Sequence, residues 1–202
     1  MSGARVAVLA SGKGSNLQAL LEDPVVRPWI ALVVSDREDS GALLRAEDAG
    51  VSTIFLDGKA YASREDYDHA LLDVLTMENI EHVVLAGFMR ILSSDLVRAF
   101  AGRLLNIHPA LLPAFPGTHA VRDALEWGVK VTGVTVHLVD EEVDHGPIVL
   151  QEPVRVEEGD DGESLLARIH EVEHRLYPLA VRLLVEGKLK VEGRIVHLLE
   201  DV

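Results

Sequence analysis

Over its first 108 residues the chain alternates short apolar runs with stretches of helical spacing, and that alternation leaves few folds open. Arg5 to Ala10, Trp29 to Ser35, Ser52 to Leu56, His82 to Ala86 and Leu104 to His108 read as strands. Leu17 to Leu21, Gly41 to Gly50, Ser63 to Glu78 and Ser93 to Phe100 read as the helices between them. Strands separated by helices of this length predict an α/β fold with a mainly parallel sheet. Beyond Gly117 the pattern changes. His119 to Trp127 is a short helix, and Gly133 to Val139 and Pro147 to Pro153 are strands. Ser164 to Val185 is the longest helix, with Pro178 expected to kink or break it. Leu189 to Glu192 and Ile195 to His197, parted by Gly193-Arg194, predict a closing hairpin.

A chain of 202 residues with 48% apolar side chains can bury a sizeable core as one domain, read here as residues 1–202. Internal repeats and linkers are absent from the sequence. Without an apolar window of eighteen residues or a cleavable leader pattern, a membrane partner is not expected and the cytoplasm is the default address. The lack of cysteine excludes disulfides, thiolate metal sites and a Cys nucleophile. A net charge of −14 repels nucleic acid in general, and no basic patch offsets it. Small anions remain acceptable, because a few local donors override a global field.

In open parallel sheets, ligands bind outside the carboxyl ends of the strands. That rule nominates the loops after each strand. Ser11-Gly12-Lys13-Gly14-Ser15-Asn16 supplies backbone N–H groups at a helix start, which suits a phosphate. It lacks the Walker ending, and Leu17 stands where a dinucleotide fingerprint has its third glycine. Asp36, after the second strand, could mimic a ribose-holding acid. Gly87 to Leu92 sets one arginine among apolar residues, a wall for a flat ligand or a plain core edge.

Asn106 and His108 stand two apart on a strand end, so their side chains share a face. An amide donor beside a group titrating near neutrality can hold a carbonyl oxygen and move a proton; alternatively, both merely satisfy loop backbone. The acidic run Asp140 to Asp144, closed by Gly146-Pro147, is either a solvated turn or a source of a carboxylate for His108. Such a carboxylate would raise the imidazole pKa. His170-Glu171-Val172-Glu173-His174 matches a zinc-hydrolase pattern on a helix, but the apolar positions around it claim one face for the core.

Taken together, several stretches resemble the phosphoribosylglycinamide formyltransferase family, the folate-dependent formyltransferases of purine synthesis. They are Ser11 to Leu17, Leu85 to Leu92, Asn106 to Pro113, Thr135-Val136-His137, Asp144 to Pro147, and Glu173-His174 before Tyr177-Pro178. The resemblance spans nearly the whole chain in order. It implies a Rossmann-like formyltransferase fold with helices on both faces of the sheet. Its phosphate-binding half is about 1–100 and its catalytic and folate-binding half about 101–202. It implies 10-formyltetrahydrofolate as co-substrate, no metal, and small-molecule substrates acted on by a monomer or homodimer. By resemblance Asn106, His108 and Asp144 are catalytic. Gly14, Ser15, Asn16, His170 and Glu173 hold the glycinamide ribonucleotide. Arg64, Met89, Arg90, Ile91, Leu92, Asn106 and Asp140, Glu141, Glu142, Val143 and Asp144 hold the folate. Departures are mild: Lys13 and His145 occupy variable positions, and Ala110 stands where serine is common.

The reaction this implies is direct attack of an amine on the formyl carbon, with Asn106 and a protonated His108 stabilising the oxyanion and Asp144 holding the imidazolium. Related transformylases of methionyl-tRNA and hydrolases of formyltetrahydrofolate carry extra domains that this chain is not expected to have. Two alternatives come from other classes: a zinc-dependent hydrolase built on His170, Glu171 and His174, and a non-catalytic nucleotide-binding module using only the glycine loop.

Overall fold

The computed structural model describes residues 3–199, so the ends of the 1–202 domain reading lie outside the described residues. The chain forms two compact units that divide between residues 105 and 106.

The first unit contains β1 (Val6–Leu9), α1 (Ser15–Glu22), β2 (Ile30–Ser35), α2 (Gly41–Asp48), β3 (Ser52–Phe55), α3 (Arg64–Met77), β4 (His82–Leu85) and α4 (Ser94–Ala99). Its strands run β3-β2-β1-β4, and every pairing among them is parallel. β1 is central and wholly buried, which is why it reads as an unbroken apolar run rather than an alternation. Serines start the helices. Ser40, Ser63 and Ser93 sit just outside α2, α3 and α4, and their hydroxyls accept from the N–H groups of Ala42, Asp66 and Leu96. β2 begins one residue later than the sequence predicts, because Arg27–Trp29, with Pro28 inside it, forms a 3-10 turn.

β5 (Leu104–His108) carries the chain into the second unit, which holds α5 (Ala120–Trp127), β6 (Val131–Leu138), β7 (Ile148–Arg155), α6 (Gly162–Val185), β8 (Leu189–Glu192) and β9 (Ile195–Leu198). The strand order here is β5-β6-β7-β9-β8. β6 and β7 pair antiparallel, and β7 pairs parallel with β9. β8 and β9 form the expected hairpin. At Gly133 a Cβ would stand 2.3 Å from the Glu152 carbonyl oxygen, so the close approach of β6 to β7 needs glycine there.

α6 runs through Pro178 without ending, so of the expected kink or break the break does not occur. A helix-interior proline costs about 3 kcal/mol through its lost hydrogen bond and ring clash. Here Ile169, Leu176, Tyr177, Pro178, Val181 and Leu184 are all buried on the same helix. Burying apolar side chains at roughly 1.5–3 kcal/mol each outweighs that cost.

Candidate active site

β5 delivers His108 at its carboxyl end, with the ring only 4% exposed. Nε2 donates to the carbonyl oxygen of Phe115 at 2.8 Å, and Nδ1 stands 3.4 Å from Asp144 Oδ2. Both ring nitrogens therefore face oxygen acceptors, an arrangement that only the imidazolium satisfies on both sides. The same carboxylate oxygen accepts the N–H of Gly117 at 2.7 Å.

Asn106, on the same strand, points its amide nitrogen at His137 Nε2, 3.2 Å away, and more loosely at Asp144 Oδ1, 3.4 Å away. His137 Nδ1 donates to the Leu138 carbonyl at 2.9 Å, which leaves Nε2 unprotonated and able to accept from Asn106 in the neutral ring. The amide orientation is thereby fixed. One Asn106 N–H is committed to His137, and the second, held by a long contact, is the one open to exchange for a substrate oxygen.

The sequence-based site set does not contain His137. Its signal is the alternation of β6, in which Thr135 and His137 share one face as Asn106 and His108 do on β5. Thr135 matters in the same way. Its hydroxyl donates to the Ala110 carbonyl at 2.6 Å and accepts from the Leu112 N–H at 3.0 Å. The Gln151 amide binds both Thr135 Oγ1 (2.9 Å) and the Leu112 carbonyl (2.8 Å). β6 and β7 thus clamp the start of the segment that presents Phe115 and Gly117.

Burial is the largest influence on His108 and pushes its imidazole below the ordinary 6.5, against the pull of the Asp144 charge and the Phe115 carbonyl. The pair with Asp144 forms and pulls this pKa upward as expected, and burial outweighs that pull. For Asp144, burial alone would raise the carboxyl. The Gly117 N–H, at 2.7 Å, and the His108 charge together hold it below the usual range.

Asp144 is set by the turn between β6 and β7. Its φ of 51° is left-handed, uncommon for any residue but glycine and tolerated by Asp. A Cβ on Gly146 would lie 1.8 Å from the Leu138 carbonyl oxygen, so only glycine lets the turn close. Within the turn Asp140 turns to His145 (2.8 Å) and accepts the Glu142 N–H (3.0 Å). Glu141, Glu142 and Val143 face solvent, whereas the Asp144 side chain is only 10% exposed.

In the first unit, Gly14 caps α1 at φ 76° with no side chain serving as cap. The first-turn N–H groups at Ser15 and Asn16 therefore point outward from a helix start, the arrangement that suits an anion. The opposite side of the loop is occupied. The Gly12 carbonyl accepts from the Ala42 N–H (3.2 Å) and Ser40 hydroxyl (3.0 Å), and the Lys13 carbonyl from Arg45 Nε (2.9 Å). A cleft of about 600 Å³ beside this loop is lined by Lys13, Arg37, Ser40 and Arg45 among others, and by none of Asn106, His108 or Asp144. After β4, Met89 and Ile91 are each 57% exposed, Leu92 is partly exposed and Arg90 is turned inward. Arg64 opens α3 and pairs with Glu65 at 3.1 Å.

On α6, Glu173 is buried and lies 3.8 Å from His170 Nε2, and the His170 and His174 rings stack nearly parallel with centroids 5.7 Å apart. Among the described residues no group of three or more His, Asp or Glu side chains is placed to hold a metal ion.

The chain matches the family described as Formyl transferase over residues 4–181. It is 47% identical over 190 residues to the trifunctional purine biosynthetic protein adenosine-3 of Gallus gallus, covering 93% of this chain and 19% of that protein. It thus spans about a fifth of the length of such multifunctional relatives. It is 44% identical over 189 residues to the phosphoribosylglycinamide formyltransferase of Escherichia coli (strain K12), covering 92% of this chain and 89% of that one. Among solved structures, glycinamide ribonucleotide transformylase 1 from Symbiobacterium toebii superposes with a TM-score of 0.95 at 49% identity, covering 98% of this chain and 95% of that one. These relatives do not support a zinc-dependent hydrolase or a non-catalytic nucleotide-binding module.

Proposed function

The chain belongs to the formyl transferase family, and we propose that it moves the formyl group of 10-formyltetrahydrofolate to the amine of 5-phosphoribosylglycinamide in purine synthesis. The observation that carries this reading is the seat of His108 between two oxygen acceptors with the Asn106 amide on the same face. The family match runs through both units, which supports treating them as one formyltransferase domain. No described helix is long and apolar enough to cross a membrane. The reading takes both substrates as small molecules, met in the cytoplasm by a monomer or homodimer.

In this reaction the substrate amine attacks the formyl carbon and the carbonyl oxygen becomes an oxyanion. Asn106 turns its loosely held N–H from Asp144 to that oxygen. A protonated His108 stabilises the same charge, its imidazolium held by the Asp144 carboxylate, and the attacking amine gives up a proton. The proton then passes to the departing folate nitrogen. Each oxyanion donor in a site of this kind is worth roughly 2.7–4 kcal/mol. Since the amine is itself the nucleophile, no covalent enzyme intermediate forms.

The ribonucleotide phosphate meets the N–H groups at Gly14, Ser15 and Asn16, with His170 and Glu173 as further contacts to that substrate. Arg64, Met89 to Leu92 and the Asp140 to Asp144 turn take the folate. An assay of formyl transfer with both substrates tests the reading. Absence of transfer by the purified protein would remove it.

A further inference from the structure

Arg90 interrupts an otherwise apolar loop, and its position decides which way that loop faces. Its guanidinium carbon lies 4.0 Å from the centroid of the Tyr67 ring, on the first turn of α3. The backbone of Gly58 closes on the same group: a Cβ there would stand 2.2 Å from an Arg90 terminal nitrogen and 3.0 Å from the guanidinium carbon. Tyr67 is itself steadied by Tyr61, whose ring meets it edge-on at 5.5 Å and 89°. Tyr67 is completely buried.

The rest of the loop is tied at both ends. Ser11 N–H donates to the Gly87 carbonyl at 3.1 Å, and the Met89 N–H donates to Ser11 Oγ at 2.9 Å. At the far end the Ser93 N–H donates to the buried Asp68 carboxylate, one residue after Tyr67. Between these ties the loop alternates. With Arg90 drawn in onto Tyr67, its neighbours Met89 and Ile91 are turned out, each 57% exposed. Two exposed apolar side chains flanking an inward cation form a surface for a flat ring, and the orientation depends on the guanidinium staying where it is.

We propose that Tyr67 and Gly58 are positioning residues: they clamp Arg90 so that Met89 and Ile91 form the platform for the aromatic part of the formyl donor. This rests on the folate-dependent reading above and adds residues that contact Arg90 instead of the ligand. Tyr67 acts through its ring face, whereas Gly58 acts through its lack of a side chain.

The test compares Tyr67→Leu, Tyr67→Phe and Gly58→Ala by steady-state kinetics and by calorimetric binding of tetrahydrofolate. Tyr67→Leu and Gly58→Ala are expected to raise KM for 10-formyltetrahydrofolate and Kd for tetrahydrofolate about 10-fold, the scale of a desolvated cation–π contact. The ribonucleotide KM and kcat stay within about twofold of wild type, since neither residue meets reacting atoms. Tyr67→Phe, which keeps the ring face, behaves as wild type. An unchanged folate constant, an equal loss in both substrates' constants, or a Phe variant as impaired as the Leu variant overturns the clamp. Where Tyr67→Leu fails to fold by circular dichroism, Gly58→Ala decides alone. A wild-type protein that binds tetrahydrofolate but transfers no formyl group refutes the reaction while the Kd comparison still decides the clamp. One that binds no folate refutes both.

Discussion

The Nε2 of His108 donates to the carbonyl oxygen of Phe115, seven residues further along the chain, and Phe115 is held at φ 52° to present that oxygen. Asp144, which meets the other ring nitrogen, is held at φ 51°. Both acceptors around one imidazole thus come from non-glycine residues in left-handed backbone conformations. Such conformations cost of order 1–3 kcal/mol each and persist only where the surroundings enforce them. Here the enforcement is visible in the Thr135–Gln151 clamp before Phe115 and in the closed turn at Gly146 after Asp144.

Replacing His108 with Ala, or Asn106 with Ala, is expected to lower kcat by about 100- to 1,000-fold, the usual cost of one oxyanion donor. Circular dichroism should be unchanged. Full turnover in His108→Ala would remove the ring from the chemistry.

Asp144→Asn takes away the charge that opposes the burial of His108, so the His108 pKa falls further below its ordinary value. The amide oxygen can still accept the Gly117 N–H, and the fold should survive. NMR titration of the imidazole reads the shift directly. A titration that does not move shows that the two groups are uncoupled.

Acid should weaken the fold in two stages. The folded pKa of His108, and likewise of His82 where burial again dominates, lies below the unfolded value of about 6.5. Between those two values the unfolded chain binds the extra proton, so this stability is complete above about pH 6.5 and is lost down to the folded pKa. Asp144, lowered in the fold despite its burial, contributes stability above its unfolded value of about 4 that is lost as pH falls through the folded one. Urea midpoints measured from pH 8 to 2 should decline from about pH 6.5, less steeply in His108→Asn, and again below about pH 4.

Gly146→Ala drives a methyl group into the Leu138 carbonyl at 1.8 Å, a contact that only backbone movement relieves. The expected cost is about 1–3 kcal/mol in denaturant unfolding, with a loss of turnover as Asp144 is displaced. Equal stability and activity would show that the turn has another closed form.

Arg45→Met removes the donor to the Lys13 carbonyl from a partly exposed side chain, so folding is spared. The glycine loop then loses a tie on its carbonyl side. KM for the ribonucleotide should rise about 3- to 10-fold with kcat and the folate KM unchanged. No change would show that Ser40 and Ala42 hold the loop unaided.

Much of the frame was legible in the sequence. β1 to β5 and the helices between them follow from apolar period and from serine caps, which are local signals. Asn106 and His108 were visible as a same-face pair, because alternation is also local. What could not be read was set by contacts distant in sequence. His137 joins the pair only because β6 carries it to Asn106, 31 residues away. The upward pull of the carboxylate on His108 was legible, whereas the net sense of the shift depends on burial, which spacing does not reveal. Pro178 depends on distant contacts in the same way: its local cost is real, and the packing of α6 carries the helix through it without a break.

The ties around Thr135 split the segment after β5 into two parts that would look very different in hydrogen exchange. Leu112 lies outside any strand, yet its amide is bonded to a buried threonine, itself bound by Gln151. It should exchange on the slow timescale of the sheet interior, since exchange there needs the β6–β7 clamp to open. Five residues on, the Gly117 amide depends only on the Asp144 carboxylate. Its exchange rate therefore reports the ionisation of one side chain, read from a backbone proton.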